Sequence, residues 1–159
     1  MKILGFDPGT ARLGFGVVDK DGNNFMVGNY GIIETEAGLP KAERLRQIQA
    51  DVEELLASEN PDTVAVEELF FVNNITTGIA VAEARGVVLA TVAKYGCEIR
   101  EFRPMEIKQA ICGNGHAEKR QVQKMVQNLL KLDALPRPDD AADALAVAIT
   151  CGQTNALLK

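Results

Sequence analysis

Lys2-Ile3-Leu4-Gly5-Phe6-Asp7-Pro8-Gly9-Thr10 decides how this chain is read. The apolar run Ile3–Phe6 is short and stops at the turn Pro8-Gly9-Thr10, the pattern of a buried strand. It ends on a carboxylate, Asp7. Working outward, Leu13–Asp19 and Phe25–Glu34 read as two further strands, with Asp21-Gly22-Asn23 as the turn between them. Three strands on short links make an antiparallel meander. Pro40–Ser58 then carries Leu45, Ile48, Val52, Leu55 and Leu56 at helical spacing, and Asn60-Pro61-Asp62 closes it. Thr63–Val66 is a short buried strand ending at Glu67-Glu68. Thr77–Tyr95 is an Ala/Val-rich helix, Cys97–Phe102 a fifth strand, and Pro104–Cys112, Glu118–Leu132 and Asp139–Thr150 are helices. The order β-β-β-α-β-α-β followed by helices predicts an α/β fold. Its mixed five-stranded sheet combines the meander with parallel strands and is flanked by helices.

Composition narrows the class. The 159 residues suit one domain, 1–159, able to bury roughly 68–70% of its unfolded surface. Hydrophobic residues are 47% and charged residues 25%, which is globular rather than disordered. No apolar run reaches 18 residues, so no membrane span is expected, and the N-terminus lacks a signal peptide's pattern. Cys97, Cys112 and Cys151 are odd in number and widely spaced, with no C-x-x-C. That argues against a disulfide framework or zinc site and for the reducing cytoplasm.

The net charge of −5 argues at first against a polyanionic partner. Its distribution reverses the argument. Residues 94–137 carry nine basic and five acidic side chains, while residues 1–93 carry seven and fourteen. A basic stretch beside an acidic remainder is compatible with a nucleic-acid footprint.

The candidates for chemistry are carboxylates in places where a carboxylate is expensive. Asp7 and the pair Glu67-Glu68 end apolar strands, where ligand sites of α/β sheets lie. Asp139, Asp140 and Asp143 sit in a helix otherwise made of Ala, Leu, Val and Ile. Asp139 also reads as an N-cap. Asp140 and Asp139 stand three and four residues before Asp143, so spacing alone selects neither. Glu67 and Glu68 point to opposite faces of their strand, so only one can join the site. Clustered carboxylates repel and their pKa values rise unless a cation intervenes. All-oxygen donors select Mg²⁺ or Mn²⁺ over Zn²⁺. Two Mg²⁺ about 3.5–4 Å apart would serve in-line attack of water on a phosphodiester.

Three segments resemble the RuvC-type Holliday-junction resolvases of the RNase H-like superfamily. They are Ile3–Thr10, Val64–Phe70 and Asp140–Ile149, with Glu83-Ala84-Arg85-Gly86 and Gly115–Val122 between the last two. The resemblance covers nearly the whole chain in the expected order. It implies a homodimeric endonuclease of homologous recombination and DNA repair. Such an enzyme nicks two strands of a four-way DNA junction symmetrically and leaves a 5′-phosphate and a 3′-hydroxyl. It also implies cooperation with the RuvA–RuvB branch-migration complex.

Position by position, the resemblance puts the metal-binding catalytic acids on Asp7, Glu67, Asp140 and Asp143, with two Mg²⁺ per site and Mn²⁺ as substitute. It makes Glu68 and Asp139 neighbours. Phe70 matches an aromatic that stacks on an unpaired base at the junction. Lys108 and Lys119 match basic residues that contact DNA near the scissile phosphate. His116, a lone histidine beside a glycine loop, reads as structural, since a general base needs a positioned partner.

The hairpin Asp7-Pro8-Gly9-Thr10 with Gly14-Phe15-Gly16 also resembles the phosphate-binding hairpin of actin-like ATPases. Those need a second domain, for which this chain is too short. A small family of RuvC-like resolvases shares the hairpin, but Ala65–Phe70 and Asp140–Leu145 favour RuvC proper. Gly86 inside its helix predicts close packing against another helix or a second subunit.

Overall fold

The computed structural model describes residues 1–9, 11–69 and 75–154. Strands β1 (Lys2–Pro8), β2 (Arg12–Asp21) and β3 (Asn24–Glu34) form the expected meander. Helix α1 (Lys41–Glu59) leads to β4 (Thr63–Glu67), and α2 (Ile75–Tyr95) to β5 (Glu98–Phe102). Helices α3 (Pro104–Cys112), α4 (Lys119–Leu129) and α5 (Asp139–Thr154) follow. The sheet order is β3-β2-β1-β4-β5, with β4 parallel to both β1 and β5. The α/β class and mixed sheet read from the sequence therefore hold.

Most element ends shift by one or two residues from the sequence reading, and two shift by more. Helix α4 stops at Leu129 because Lys131 takes a left-handed conformation, φ 53°, which no α-helix can continue. Helix α5 runs on to Thr154, since Thr150, Cys151 and Gly152 continue its buried surface.

The period-two alternation of β1 sorts the core into two layers. Leu4 and Phe6 face one way, into a cluster with Ile48, Val52 and Leu56 of α1 and Val88 and Val92 of α2. Ile3 faces the other way, with Ile107 and Ile111 of α3, Val126 of α4 and Leu145 and Ile149 of α5. By length and composition α2 could cross a membrane, although it contains no unbroken apolar run of 18 residues. Ala and Gly raise its apolar content without a long aliphatic run. One face of it, Val81, Ala84, Val88 and Val92, is buried.

Helix α5 is buried along nearly its whole length. Its seat is built from small residues. A Cβ on Gly5 would overlap the Ala144 carbonyl, one on Gly14 the Asp140 carbonyl, and one on Gly16 the Leu145 side chain. Gly5 pairs with Gly16 and Asp7 with Gly14 across β1 and β2. These glycines let the helix backbone lie directly on the sheet. Gly86 is different, because nothing in the described residues lies within 4 Å of where its Cβ would stand. Close packing of Gly86 against another helix of the same chain is thus ruled out among the described residues.

Candidate active site

Asp7 follows Ile3 and Gly5 on the β1 face that meets α5. Glu67 follows Ala65 on the same face of β4. Because Gly5 pairs with Ala65 in the parallel ladder, Asp7 and Glu67 end adjacent strands side by side. The intimate seat of α5 brings Asp140 and Asp143 over this sheet end. Among the described residues, oxygens of Asp7, Asp140 and Asp143 lie within 4.8 Å of one another. Glu67 lies outside that group of three and is joined to it by a side-chain hydrogen bond with Asp7.

The two acids left open by spacing have other partners. The Glu68 amide donates to the Phe102 carbonyl at 2.8 Å, and its carboxylate pairs with Arg103 at 3.3 Å. Asp139 is the first residue of α5, not the residue before it, and its carboxylate pairs with Arg137.

Burial is the main force on these carboxyls. It pushes Asp7 well above the usual carboxylate range, and the charges of Glu67 and Asp143 push it further. Burial likewise raises Glu67, against the opposing hydrogen bond from Asp7. It raises Asp143 although Lys119 pulls the other way. Desolvation draws the Lys119 ammonium down, but the hydrogen bond and charge of Asp143 outweigh it and hold it above its ordinary value. Its Nζ stands 2.6 Å from Asp143 Oδ2.

Lys108, Lys119, Asp7, Glu67 and Asp143 line one cleft of about 250 Å³, floored by Ile107, Val122 and Ala146. A second cleft of about 160 Å³ opens beside Asp7 and Glu67, bounded by Pro8, Glu68, Leu69, Val81, Arg85 and Pro104. Here Arg85 has a role that no sequence spacing revealed. Its Nε donates to the Glu67 carbonyl at 3.1 Å, and its guanidinium pairs with Glu101 of β5. It ties the end of β4 to α2 and β5. Phe70 lies outside the described residues. His116 is exposed in the α3–α4 loop, where its amide donates to Asn114 Oδ1. Gly14 and Gly16, which suggested a phosphate hairpin, are spent on seating α5.

Hard oxygen donors on raised, mutually repelling carboxyls suit a divalent cation. A mixed sheet in this strand order, with an acid at the end of each central parallel strand and a carboxylate-bearing helix across it, is the arrangement expected of an RNase H-like nuclease. Residues 3–151 match the family model described as crossover junction endodeoxyribonuclease RuvC. The crossover junction endodeoxyribonuclease RuvC of Brevibacillus brevis is 49% identical over 158 residues, which is 99% of this chain and 95% of that protein. The Thermus thermophilus RuvC structure in complex with a Holliday junction substrate superposes with a TM-score of 0.93 at 37% identity. That match covers 99% of this chain and 96% of the other. A yeast mitochondrial Holliday junction resolvase shares the fold, with a TM-score of 0.72 at 13% identity, over 98% of this chain and 81% of the other. The chain belongs to the RuvC family of crossover junction endodeoxyribonucleases, whose members are metal-dependent.

Proposed function

We propose that this chain resolves four-way DNA junctions by hydrolysing one phosphodiester in each of two strands. Asp7, Glu67, Asp140 and Asp143 are its metal-holding catalytic carboxylates. The observation that carries this reading is the convergence of acids from β1, β4 and α5 at one sheet end, with lysines on the rim, in a chain of this family. Four carboxylates facing one close ammonium leave negative charge uncompensated, which supports two Mg²⁺ with Mn²⁺ as substitute. Bound divalent ions would activate the attacking water and stabilise the leaving oxygen.

The chain's own residues prepare that chemistry. Asp7 and Glu67 share a hydrogen bond that a cation would replace. Arg85 holds the backbone under Glu67. Lys108 and Lys119 offer positive charge to a phosphate that enters the cleft. The products would be a 5′-phosphate and a 3′-hydroxyl, ends suited to resealing in recombination and repair.

A four-way junction has two strands to cut at related positions, and a two-fold dimer supplies two related sites. Helix α2 offers a face for it. Ile79, Ala82, Gly86, Ala90 and Ala93 are exposed at spacings of three and four residues, and the space over Gly86 is open. Cooperation with RuvA–RuvB rests on the resemblance alone. A cytoplasmic location fits the DNA substrate and the free thiols of Cys97, Cys112 and Cys151.

The test is Asp7→Asn. It should bind a labelled four-way junction as the parent does and make no nicks in Mg²⁺. Retained nicking would overturn the assignment.

A further inference from the structure

Lys119 stands where a helix disfavours it. It is the first residue of α4, at the positive end of the helix dipole, where the carboxylate of the N-cap Glu118 is engaged by the backbone of the first turn. What holds it there is a partner on another element. Its Nζ lies 2.6 Å from Oδ2 of Asp143, one turn into α5. A Mg²⁺ ion takes carboxylate oxygens at about 2.0–2.1 Å, so an ammonium seated this close occupies the approach a cation would use to that oxygen. Asp143 is also one of the three acids whose oxygens cluster within 4.8 Å. Ammonium and metal therefore draw on the same carboxylate. The Lys119 side chain is 54% exposed, so it is free to swing out of the cleft on its flexible stem. Lys108 lines the same cleft and acts on Glu67 through its charge.

We propose that Lys119 is an internal counter-ion that occupies Asp143 in the free protein and must leave before the carboxylate can take a metal. A DNA phosphate is the natural lure, since it offers the ammonium another anion. Metal loading is then coupled to substrate binding, and by linkage each raises the affinity for the other by the same factor. The free enzyme holds metal weakly, which restrains nicking of DNA that does not fill the cleft. This inference rests on the metal site proposed above.

The test is titration of Mn²⁺ into DNA-free protein, followed by the spectroscopic signal of unbound Mn²⁺. It compares the parent with Lys119→Met, Lys119→Arg and Lys108→Met, after melting curves establish that all four are folded. Lys119→Met should bind Mn²⁺ roughly tenfold more tightly, the scale of one lost charge-assisted contact. Lys119→Arg should stay near the parent, and Lys108→Met should tighten binding much less. Unchanged or weaker binding by Lys119→Met would overturn the proposal. So would equal tightening by Lys108→Met, which would reduce the effect to overall charge. Absence of Mn²⁺ binding in all four proteins would remove the metal site itself, and the counter-ion with it.

Discussion

Removing one of the proposed catalytic carboxylates should stabilise this protein when no metal is present. Asp7 is buried against Glu67 and Asp143, and all three carboxyls are raised. Two unit charges 4.8 Å apart, the outer limit within the cluster, repel by about 3.5 kcal/mol at an effective dielectric near 20. The protein escapes part of that by keeping a proton, so the realised strain is smaller, about 2 kcal/mol. Asp7→Asn removes one charge and keeps a group able to donate to Glu67.

The sign with pH follows from linkage. A carboxyl raised in the folded state holds a proton that the unfolded chain has released. Stability is therefore complete below the ordinary value of 3.8 and is lost as pH rises through the raised value. In EDTA at pH 8, Asp7→Asn should melt about 4–8 °C above the parent. At pH 4 the gap should close. With Mn²⁺ the order should reverse, because the parent gains a ligand that the variant holds poorly. The assay is a melting curve followed by circular dichroism. An Asp7→Asn protein that melts below the parent in EDTA at pH 8, or a gap that ignores pH, would refute the electrostatic reasoning.

Three further outcomes follow from the geometry. Gly14→Ala should lose about 3 kcal/mol in urea unfolding, because its methyl meets the Asp140 backbone and the seat of α5 must shift. Gly86→Leu should leave the circular dichroism spectrum unchanged and convert the proposed dimer to monomer by light scattering. Arg85→Ala, which loses its bonds to the Glu67 carbonyl and to Glu101, should slow single-turnover nicking about tenfold, the scale of one lost charge-assisted hydrogen bond. Junction affinity should change little, and Arg85→Lys should recover only part of the rate.

Much of this was legible in the chain. The strands, their meander and the acids at strand ends follow from apolar runs that stop at turns. What spacing left open was which face of the sheet carries α5, and that fact places Glu67 rather than Glu68 beside Asp7. A signal existed for it. Gly5 and Ala65 alternate with large residues on β1 and β4, and such a strip of small side chains marks where a helix backbone lies close. Gly14 and Gly16 belong to the same strip, although in sequence they resembled a phosphate hairpin. Asp140 rather than Asp139 stands in the acid cluster, a placement that spacing does not hold, and Asp139 pairs with Arg137. The pairing of Lys119 with Asp143 and of Arg85 with the end of β4 depends on how α4 and α2 dock. No local pattern reports such contacts.

The central claim is that these carboxylates cut DNA at a four-way junction. The most direct test labels each strand of a mobile junction in turn, beside a matched linear duplex, and incubates both with the protein with and without Mg²⁺. The expected result is paired nicks at symmetric positions on the junction alone, only with Mg²⁺, bearing a 5′-phosphate and a 3′-hydroxyl. Equal cutting of the linear duplex, or nicking that persists in EDTA, would contradict the account.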